Sequence, residues 1–301
     1  MKIDTLVVGL GNIGMKYSYN TRNHYENHCE SISSHKSFNL VGGVDIDIKS
    51  QKLFKKKYKL PVYRDLFKSY KKLSPEMIVI STPTSKNINI FKVIKKKKIK
   101  PKIFLLEKPG SYNLSEFENF IDFCNKNKIN VFVNYTRSYS NFSKNFFNLL
   151  KKINFGKIKK IKIFYRKGIF NSCSHYINFL LKIYDTNNFK IINVLNIKKF
   201  NKDFLINFNL QIFKSVIFKY TKEKIKEKII FFGDKKNLTY ITELSEVYYG
   251  QNKIKNDFRN NLKNVLDYII KDNKKIMKED LLRSITTLKI ISLVVKNNKK
   301  I

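Results

Sequence analysis

The sequence contains no alanine and no tryptophan, and only six of its 61 basic residues are arginine. Its formal net charge of +38 is typical of proteins that bind nucleic acid. Bidentate contacts to phosphates and base edges favour arginine over lysine, so the scarcity of arginine argues against that class. The lysines are spread along the whole chain, and the residues in excess are those of A/T-rich codons. We therefore predict no specific nucleic-acid partner.

Cysteines and long apolar runs are also scarce. Cys29, Cys124 and Cys173 lie far apart and lack the spacing of a zinc site, so we predict no metal and a reducing compartment. No run of about 18 apolar residues is present, so we expect no transmembrane helix. The first residues lead directly into a strand-like segment, without the pattern of a signal peptide. These features predict a cytoplasmic protein without membrane contact.

A glycine-rich loop directly after an apolar strand is the most informative feature. The loop has the pattern G-x-G-x-x-G, with Asn12 and Ile13 between its last two glycines. Gly9 would allow a tight turn, Gly11 would let a pyrophosphate approach the backbone, and Gly14 would let a helix pack against the strand. The N–H groups at the start of that helix would attract phosphates. The loop predicts a dinucleotide site, although glycines after a strand also form ordinary tight turns.

A second apolar stretch, Phe38–Val44, ends in Asp45. An acidic residue at this place can hold a ribose 2′-hydroxyl and would repel the 2′-phosphate of NADP, so we predict NAD as the cofactor. The alternative is a simple turn residue at the strand end. The spacing from Gly14 is longer than the usual ~20 residues. We therefore interpret residues 16–28 as an inserted loop or an extended helix start.

Apolar segments alternate with helical patterns over the first half of the chain. Helical spacing is clearest from Ser115 to Lys126, where Ser115 and Glu118 have the pattern of a capping box. Strands in alternation with helices predict an α/β fold with a doubly wound parallel sheet, and we assign residues 1–136 to a dinucleotide-binding Rossmann domain. The predicted strands lie near residues 3–9, 39–44, 61–63, 77–82, 103–107 and 130–134.

The pattern changes after residue 136. Stretches of alternating apolar and polar residues leave no room for long helices between them, which predicts a large, mostly antiparallel sheet. We assign residues 137–301 to an α+β domain for substrate binding and oligomerisation, and we predict a homodimer or homotetramer formed through its sheet. The predicted strands lie near 158–165, 189–199, 204–221 and 226–241, and the helices near 140–152, 174–184, 257–271 and 278–296.

Polar residues follow the predicted parallel strands. Because ligands bind at the carboxyl edge of an open parallel sheet, these residues are candidates for a site. Lys108 comes directly after an apolar strand, where a lysine can act as an acid or base or can hold a substrate hydroxyl by a charged hydrogen bond. The candidates at the ends of the later strands are Ser81, Thr82, Pro83, Glu107, Lys108, Asn134 and Tyr135.

Several segments together resemble the Gfo/Idh/MocA oxidoreductases, which include glucose-fructose oxidoreductase and inositol dehydrogenases. They are Gly9–Gly14, Ser81–Thr84, Glu107–Pro109, Val133–Tyr135 and the later pair Gly168 and His175. The resemblance spans the whole chain and implies a Rossmann domain followed by an α/β domain with a mostly antiparallel sheet. It also implies a hydride transfer between NAD and the carbinol carbon of a sugar, nucleotide sugar or cyclitol.

The resemblance implies a role for each matching residue. Lys108 and His175 would be catalytic and would contact the substrate, and the peptide bond from Lys108 to Pro109 would be cis. Asn171 would also bind the substrate; Tyr135 would do so too, unless it is only a packing residue. The residues implied in binding NAD are Gly9, Gly11, Asn12, Ile13, Gly14, Asp45, Ser81, Thr82, Pro83, Glu107 and Lys108.

Some positions depart from the family pattern. The pattern has one acid four residues before His175 and another three residues after it, but this chain has Asn171 and Asn178 there. An amide cannot take a proton, so the acid-base role would fall to His175 and Lys108. Asn87 also stands where a histidine is common. Without the resemblance, His175 would be interpreted as a structural residue at a helix start. The other histidines, interpreted as surface or loop groups, are His24, His28 and His35.

Two functions from different classes remain open. The first is an NAD-dependent dehydrogenase or reductase acting on a sugar, by analogy in surface-polysaccharide biosynthesis. The second is a non-catalytic dinucleotide-binding or regulatory protein of the same fold, which the two asparagines favour. Dependence of turnover on the cofactor distinguishes them.

Overall fold

The computed structural model describes residues 2–20, 26–139, 141–153, 158–183, 191–196, 204–208, 215–221, 225–242, 244–254, 262–271 and 274–299. The chain forms two compact units. The first comprises Met1–Thr136 and Asn261–Ile285, and the second comprises Arg137–Asn260 and Thr286–Ile301. The predicted domains, 1–136 and 137–301, assign the segment Asn261–Ile285 differently, and their roles stay predictions.

The strands, in chain order, are β1 (Ile3–Val8), β2 (Phe38–Val44), β3 (Val62–Tyr63), β4 (Met77–Ile80), β5 (Ile103–Leu106), β6 (Asn130–Val133), β7 (Ile158–Tyr165), β8 (Ile191–Asn196), β9 (Phe204–Phe208), β10 (Ser215–Tyr220), β11 (Lys228–Gly233), β12 (Asn237–Ile241), β13 (Glu246–Tyr249) and β14 (Asn252–Ile254). The helices are α1 (His28–Ser33), α2 (Ile48–Tyr58), α3 (Leu66–Leu73), α4 (Thr84–Lys96), α5 (Leu114–Lys126), α6 (Thr136–Tyr139), α7 (Asn141–Lys152), α8 (Ser174–Ile183), α9 (Leu262–Ile269) and α10 (Lys274–Lys299).

The first unit contains a parallel sheet with the strand order β3-β2-β1-β4-β5-β6. This is the order of a Rossmann fold, in which the chain direction across the sheet reverses between β1 and β4. Every side chain of β4 is buried, as expected for a parallel strand covered on both faces. The predicted doubly wound parallel sheet is therefore confirmed.

Side chains at the first turn define where several of these helices begin. Asn27, Asp47 and Asp65 each accept a hydrogen bond from a backbone N–H of the helix that follows. The predicted capping box of α5 is wrong. The helix begins at Leu114, and the side chain of Asn113 caps it by accepting the Glu116 N–H at 3.0 Å.

The glycine-rich loop does not lead into a regular helix. It continues as a π-helical turn at Asn12–Lys16, and α1 begins only at His28. Residues 21–25 between them lie outside the described part of the chain. The loop interpretation of residues 16–28 agrees with the part that is described.

The second unit contains a mixed sheet with the order β14-β13-β12-β11-β7-β10-β9-β8 within the described residues. Neighbouring strands are antiparallel except β7 and β10, which are parallel, so the prediction of a mostly antiparallel sheet is confirmed. Alternate residues of the central strands are buried on one face. They pack with side chains of α7, α8 and α10, among them Phe146, Ile177, Leu180, Ile290 and Val294.

The two C-terminal helices are present with different bounds. The pattern predicts helices at 257–271 and 278–296, whereas α9 spans Leu262–Ile269 and α10 spans Lys274–Lys299. Residues 255–261 lie outside the described ranges. Within those ranges, no helix combines the length and apolar composition needed to cross a membrane.

Candidate functional site

The carboxyl ends of five parallel strands form one row across the first sheet. Val8 pairs with both Val44 and Ile80, and the row continues through Leu106 to Val133. Backbone hydrogen bonds extend this register by one residue, from Gly9 N–H to Val44 O (2.8 Å), Ser81 N–H to Val8 O (2.8 Å), Glu107 N–H to Ile80 O (2.9 Å) and Asn134 N–H to Leu106 O (2.8 Å). The candidate residues that follow these strands therefore lie side by side at one edge.

The three glycines of the loop occupy positions that favour glycine, each for a different physical reason. Gly9 has φ +92°, a region that side chains rarely adopt. A Cβ on Gly14 would lie 1.9 Å from the carbonyl oxygen of Gly9, so the loop and the π-helical turn can approach only through glycine. Gly11, by contrast, has no atom within 4 Å of such a Cβ. The open space beside Gly11 fits a group that approaches the backbone, as a pyrophosphate would.

The residues after β4 support this loop. The hydroxyl of Ser81 donates hydrogen bonds to the carbonyl oxygens of Gly9 at 2.7 Å and Val8 at 3.1 Å. Pro83 directly precedes α4. The Thr82 hydroxyl donates to Asn87 Oδ1 at 2.8 Å. Ser81 thus holds the glycine loop, while Thr82 points into a separate hydrogen-bond network.

Asp45 follows β2 and binds the glycine loop directly. Its Oδ2 accepts the Leu10 N–H at 2.6 Å, and its Oδ1 accepts the Asp47 N–H at 2.9 Å. The residue as a whole is partly buried. Lys16, on the π-helical turn, lies 3.9 Å from Asp47 Oδ2, so a cation is present in this region that the sequence pattern did not indicate.

Glu107 is a nearly buried carboxylate between two elements. Its Oε1 accepts hydrogen bonds from His28 Nε2 at 2.8 Å and from Asn134 Nδ2 at 2.5 Å. Burial acts to raise the pKa of Glu107, but the hydrogen bond and charge of His28, the Asn134 hydrogen bond and the charge of Lys108 together lower that pKa below its usual value. The side chain is therefore a carboxylate at neutral pH.

Two histidines that the sequence pattern assigned to the surface are buried. His28 is bonded to Glu107, and His35 Nε2 lies 3.1 Å from Asp267 Oδ1. Their side chains are only 2% and 1% exposed. The surface interpretation of both is wrong, because each contacts a carboxylate that is distant in the chain; the loop alternative holds for His35, which lies between α1 and β2. His24 lies outside the described residues.

Lys108 lies in a turn that Asn87 holds at Gly110, two residues after the lysine. The bond from Lys108 to Pro109 is cis, as the resemblance implied. Asn87 is fully buried; its amide donates to the Gly110 carbonyl oxygen at 2.8 Å and accepts from Thr82. Lys108 itself is partly exposed at the sheet edge. A lysine at this position can give a proton in its ammonium form or take one from a bound hydroxyl in its amine form.

In the second unit, Asn171 and His175 lie close together along the chain. Asn171 is on a π-helical turn, Ile169–Cys173, and its side chain is exposed. His175 is the second residue of α8 and is partly exposed. The Ser174 hydroxyl donates to the Asn171 carbonyl oxygen at 2.8 Å and joins the turn to the helix.

Asn178 has a structural role in the same unit. It is buried, its Oδ1 accepts the Ser138 hydroxyl at 2.5 Å, and its Nδ2 donates to Thr287 Oγ1 at 3.2 Å. A carboxylate could accept the first bond but could not donate the second. This pairing explains the amide at a position where the family pattern has an acid.

Tyr135 is fully buried and has no exposed surface in the structure. Its backbone N–H donates to the Val133 carbonyl oxygen at 2.7 Å directly after β6. Of the two interpretations of this residue, burial favours packing, and its contact with a substrate stays a prediction.

The structure also describes the sulfur and metal chemistry of the chain. Cys29, Cys124 and Cys173 are all free thiols in buried positions, and burial raises the pKa of each, which disfavours the reactive thiolate. Among the described residues, no group of three or more histidine, cysteine and acidic side chains could hold a metal ion.

Comparison with solved structures identifies proteins of the same fold. The chain has a TM-score of 0.73 and 12% identity to the WlbA dehydrogenase from Chromobacterium violaceum in complex with NADH and UDP-GlcNAcA, over 99% of this chain and 94% of that one. It has a TM-score of 0.74 and 7% identity to a mutant of KijD10, a 3-ketoreductase from Actinomadura kijaniata in complex with TDP-benzene and NADP, over 96% of each chain. A super-repressor mutant of Gal80p from Saccharomyces cerevisiae gives a TM-score of 0.76 and 14% identity, over 100% of this chain and 96% of that one.

At these identities the structural likeness establishes the fold. A search of proteins with curated functions finds no match. Residues 3–135 match the model of the Gfo/Idh/MocA oxidoreductase family, described by its NAD-binding Rossmann fold. The likeness to the Gfo/Idh/MocA oxidoreductase family is therefore shown for residues 3–135, which form most of the first unit.

Proposed function

We propose that the protein is an NAD-dependent oxidoreductase that transfers a hydride to or from a carbinol carbon of a sugar, nucleotide sugar or cyclitol. The observation that supports this most directly is the position of Lys108. It follows β5 at the same sheet edge as the glycine loop, in a turn that Glu107 and Asn87 hold from both sides. A bound nicotinamide would supply the hydride acceptor or donor, and Lys108 would manage the hydroxyl proton.

The proposed dinucleotide site uses the edge of the parallel sheet. The loop around Gly11 would hold the pyrophosphate, while Asp45 would accept a hydrogen bond from a ribose hydroxyl. Residues 81–83 and Glu107 would line the side nearer the nicotinamide. The negative charge of Asp45 supports NAD over NADP.

The family resemblance assigns proton transfer to two side chains, Lys108 and His175. Neither Asn171 nor Asn178 can exchange a proton, so Lys108 and His175 would carry the acid-base work. Asn171 is exposed and would hydrogen-bond a substrate hydroxyl. This arrangement needs no metal ion.

Three observations support a sugar or nucleotide sugar as the substrate. The WlbA dehydrogenase has UDP-GlcNAcA bound, and KijD10 is described as a 3-ketoreductase bound to TDP-benzene. The net charge of +38 favours anionic ligands such as nucleotide sugars. Surface-polysaccharide biosynthesis in the cytoplasm would use such a reaction; this step is by analogy.

The test is turnover with a defined cofactor. The protein is incubated with NAD or NADH and with panels of nucleotide sugars, hexoses and inositols, or their keto forms, while NADH absorbance is followed. We expect one substrate class to be turned over, and Lys108→Met to abolish the reaction. Binding of NADH without turnover of any panel would contradict the enzyme proposal.

A non-catalytic regulator is the second candidate. The asparagines at 171 and 178 remove both acids of the family pattern, and one structure of the same fold is a super-repressor mutant of Gal80p. Under this alternative, NADH would bind at the sheet edge without any turnover. Retained NADH binding in Lys108→Met, combined with no turnover in the wild type, would favour it.

We also propose a homodimer or homotetramer formed through the second sheet. Partly exposed apolar side chains lie on the strand faces opposite the buried core, at Ile217, Ile230, Phe232, Ile241 and Tyr248. A sheet covered on one face can bury the other against a copy of itself. Sedimentation at micromolar concentration tests this, and a clean monomer would refute it.

A further inference from the structure

A buried histidine contacts the carboxylate that directly precedes Lys108. His28 Nε2 lies 2.8 Å from Glu107 Oε1, and these residues are 79 positions apart in the chain. Their side chains are 2% and 12% exposed. None of the roles proposed above uses His28, although its partner Glu107 directly precedes the candidate catalytic lysine in the chain.

The backbone around His28 holds it in place independently of Glu107. His28 is the first residue of α1, and the side chain of Asn27 caps this helix by accepting the Glu30 N–H at 2.8 Å. The amide of Asn27 also donates to the Tyr17 carbonyl oxygen at 2.6 Å. Asn27 thus connects the segment after the glycine loop to the start of α1. These hydrogen bonds hold the backbone next to His28 in place.

The turn containing Lys108 is held at both ends by buried side chains. At its start, both hydrogen bonds to Glu107 fall on Oε1, one from His28 and one from Asn134. At its other end, Asn87 donates to the Gly110 carbonyl oxygen. A carboxylate with two donors on one oxygen loses rotational freedom, so the backbone at Glu107 is constrained as well.

We propose that His28 is a positioning residue for Lys108, acting through Glu107. By holding the Glu107 carboxylate, His28 fixes the end of β5 from which Lys108 extends. The proposal rests on the proposed function for its catalytic meaning. The position of Lys108, however, can be measured without a substrate.

The experiment measures the reactivity of Lys108 by competitive labelling. Native protein is treated with limiting acetic anhydride, and the remaining amines are acetylated with deuterated reagent after denaturation. Chymotryptic cleavage after Leu106 and Tyr112 leaves Lys108 as the one lysine in its peptide. The isotope ratio of this peptide, normalised to that of the exposed Lys68, measures how fast the Lys108 amine is acetylated in the native protein.

Three variants separate positioning from general stability. His28→Leu removes the contact to Glu107, and His28→Gln keeps an N–H donor in a similar place. His35→Leu is the matched control, because His35 is an equally buried histidine bonded to a carboxylate, that of Asp267. Thermal unfolding of all three shows how far each remains folded.

We expect Lys108 in His28→Leu to label at least about twofold faster than in the wild type, because the turn opens locally more often. His28→Gln should restore the wild-type ratio, and His35→Leu should leave it unchanged. Unchanged or slower labelling in His28→Leu would overturn the proposal, as would an equal increase in His35→Leu. If His28→Leu does not fold, faster labelling in His28→Asn, whose side chain is too short to reach Glu107, supports the proposal and unchanged labelling overturns it.

Turnover gives the second readout once a substrate is known. kcat of His28→Leu should fall by up to about 100-fold, because small misplacements of a reacting group are costly, while KM for NADH stays near the wild-type value. A wild-type protein without turnover but with the expected labelling pattern would reject the proposed function and retain the positioning role. A KM increase with unchanged kcat would reject the positioning role instead.

Discussion

The sheet edge of the first unit and the start of α8 in the second unit hold their candidate residues in different ways. At the sheet edge, backbone hydrogen bonds between neighbouring strands place the residues after β1, β4, β5 and β6 in one row. At α8, Asn171 and His175 belong to one short segment, a π-helical turn and the first turn of the helix. The first arrangement depends on strand register, and the second depends on side-chain contacts within a local segment.

Because the two regions hold their candidate residues in different ways, we expect them to tolerate different substitutions. Backbone hydrogen bonds fix the residue that follows each strand at the sheet edge, whereas the turn after Glu107 is also held by side chains. In the second unit, the amide of Asn178 joins Ser138 to Thr287. An amide is needed at this position because one of the two bonds requires a donor, which the acid of the family pattern would lack when ionised. The amide at 178 therefore has a structural reason that does not depend on the proposed role of Lys108.

Lys108→Met tests the chemistry of the sheet edge and should have the largest effect. We expect turnover to fall roughly 10²–10⁴-fold, because an acid-base group is removed, while NADH binding is retained. His175→Ala should reduce turnover by a similar or smaller factor. Lys102→Met is the control, since Lys102 is an exposed lysine paired with Glu76. Full activity in Lys108→Met would contradict the assignment of Lys108 as an acid-base group.

Gly14→Ala and Gly11→Ala separate the fold of the loop from its binding role. The Gly14 Cβ would overlap the Gly9 carbonyl oxygen, so we expect a loss of about 1–3 kcal/mol in the free energy of unfolding. Gly11→Ala meets no atom within 4 Å and should unfold like the wild type. It should nevertheless weaken NADH binding, which fluorescence titration measures. Unchanged NADH binding in Gly11→Ala would contradict the proposed position of the pyrophosphate beside Gly11.

Asn178→Asp tests the structural role of the amide in the second unit. The variant loses the donor to Thr287 and buries a carboxylate, so we expect a cost of about 1–3 kcal/mol. Because burial disfavours the ionised form, the loss should grow as pH rises and the carboxyl ionises. Thermal unfolding at acidic and neutral pH measures it. Asn171→Asp, on an exposed position, should change stability little, and equal losses in both variants would contradict this role.

Asp45→Ala tests cofactor discrimination at the sheet edge. The wild type should bind NADH more tightly than NADPH, and the variant should narrow that preference by about tenfold, which is 1.4 kcal/mol. Lys16, near Asp47, would then be able to attract a 2′-phosphate. Both cofactors are titrated at physiological salt, where the long-range field of the positive chain is screened. Tighter NADPH binding by the wild type would be the opposite of the expected result.

Glu107→Gln tests the charge of the buried carboxylate and should have the smallest effect. The pKa of Glu107 is lowered in the folded protein, so its ionised form stabilises the fold above the unfolded-state pKa. That contribution is lost as pH falls through the folded-state pKa. The difference in unfolding free energy between wild type and variant should therefore shrink in acid. A pH-independent difference would show that charge is not involved.

The sequence predicted the parallel sheet and the residues at its edge because both depend on local patterns. Apolar runs define the strands, and parallel strands place their carboxyl ends on one side. It did not predict the helix cap at Asn113, which lies only two residues from the expected Ser115, because several polar residues there could serve as caps. It also did not place His28, for which the one available signal was an unmatched carboxylate at Glu107.

What the sequence determined by itself is the alternation of strands and helices in the first unit, the glycine loop and the candidate side chains Asp45 and Lys108, whereas His175 became a candidate only through the family resemblance. What only the tertiary structure decided is which distant groups meet. Glu107 meets His28, 79 residues away, and His35 meets Asp267, 232 residues away. The physical reason is that periodicity and turn chemistry act over a few residues, whereas each of these buried histidines contacts its carboxylate partner only after the elements have packed.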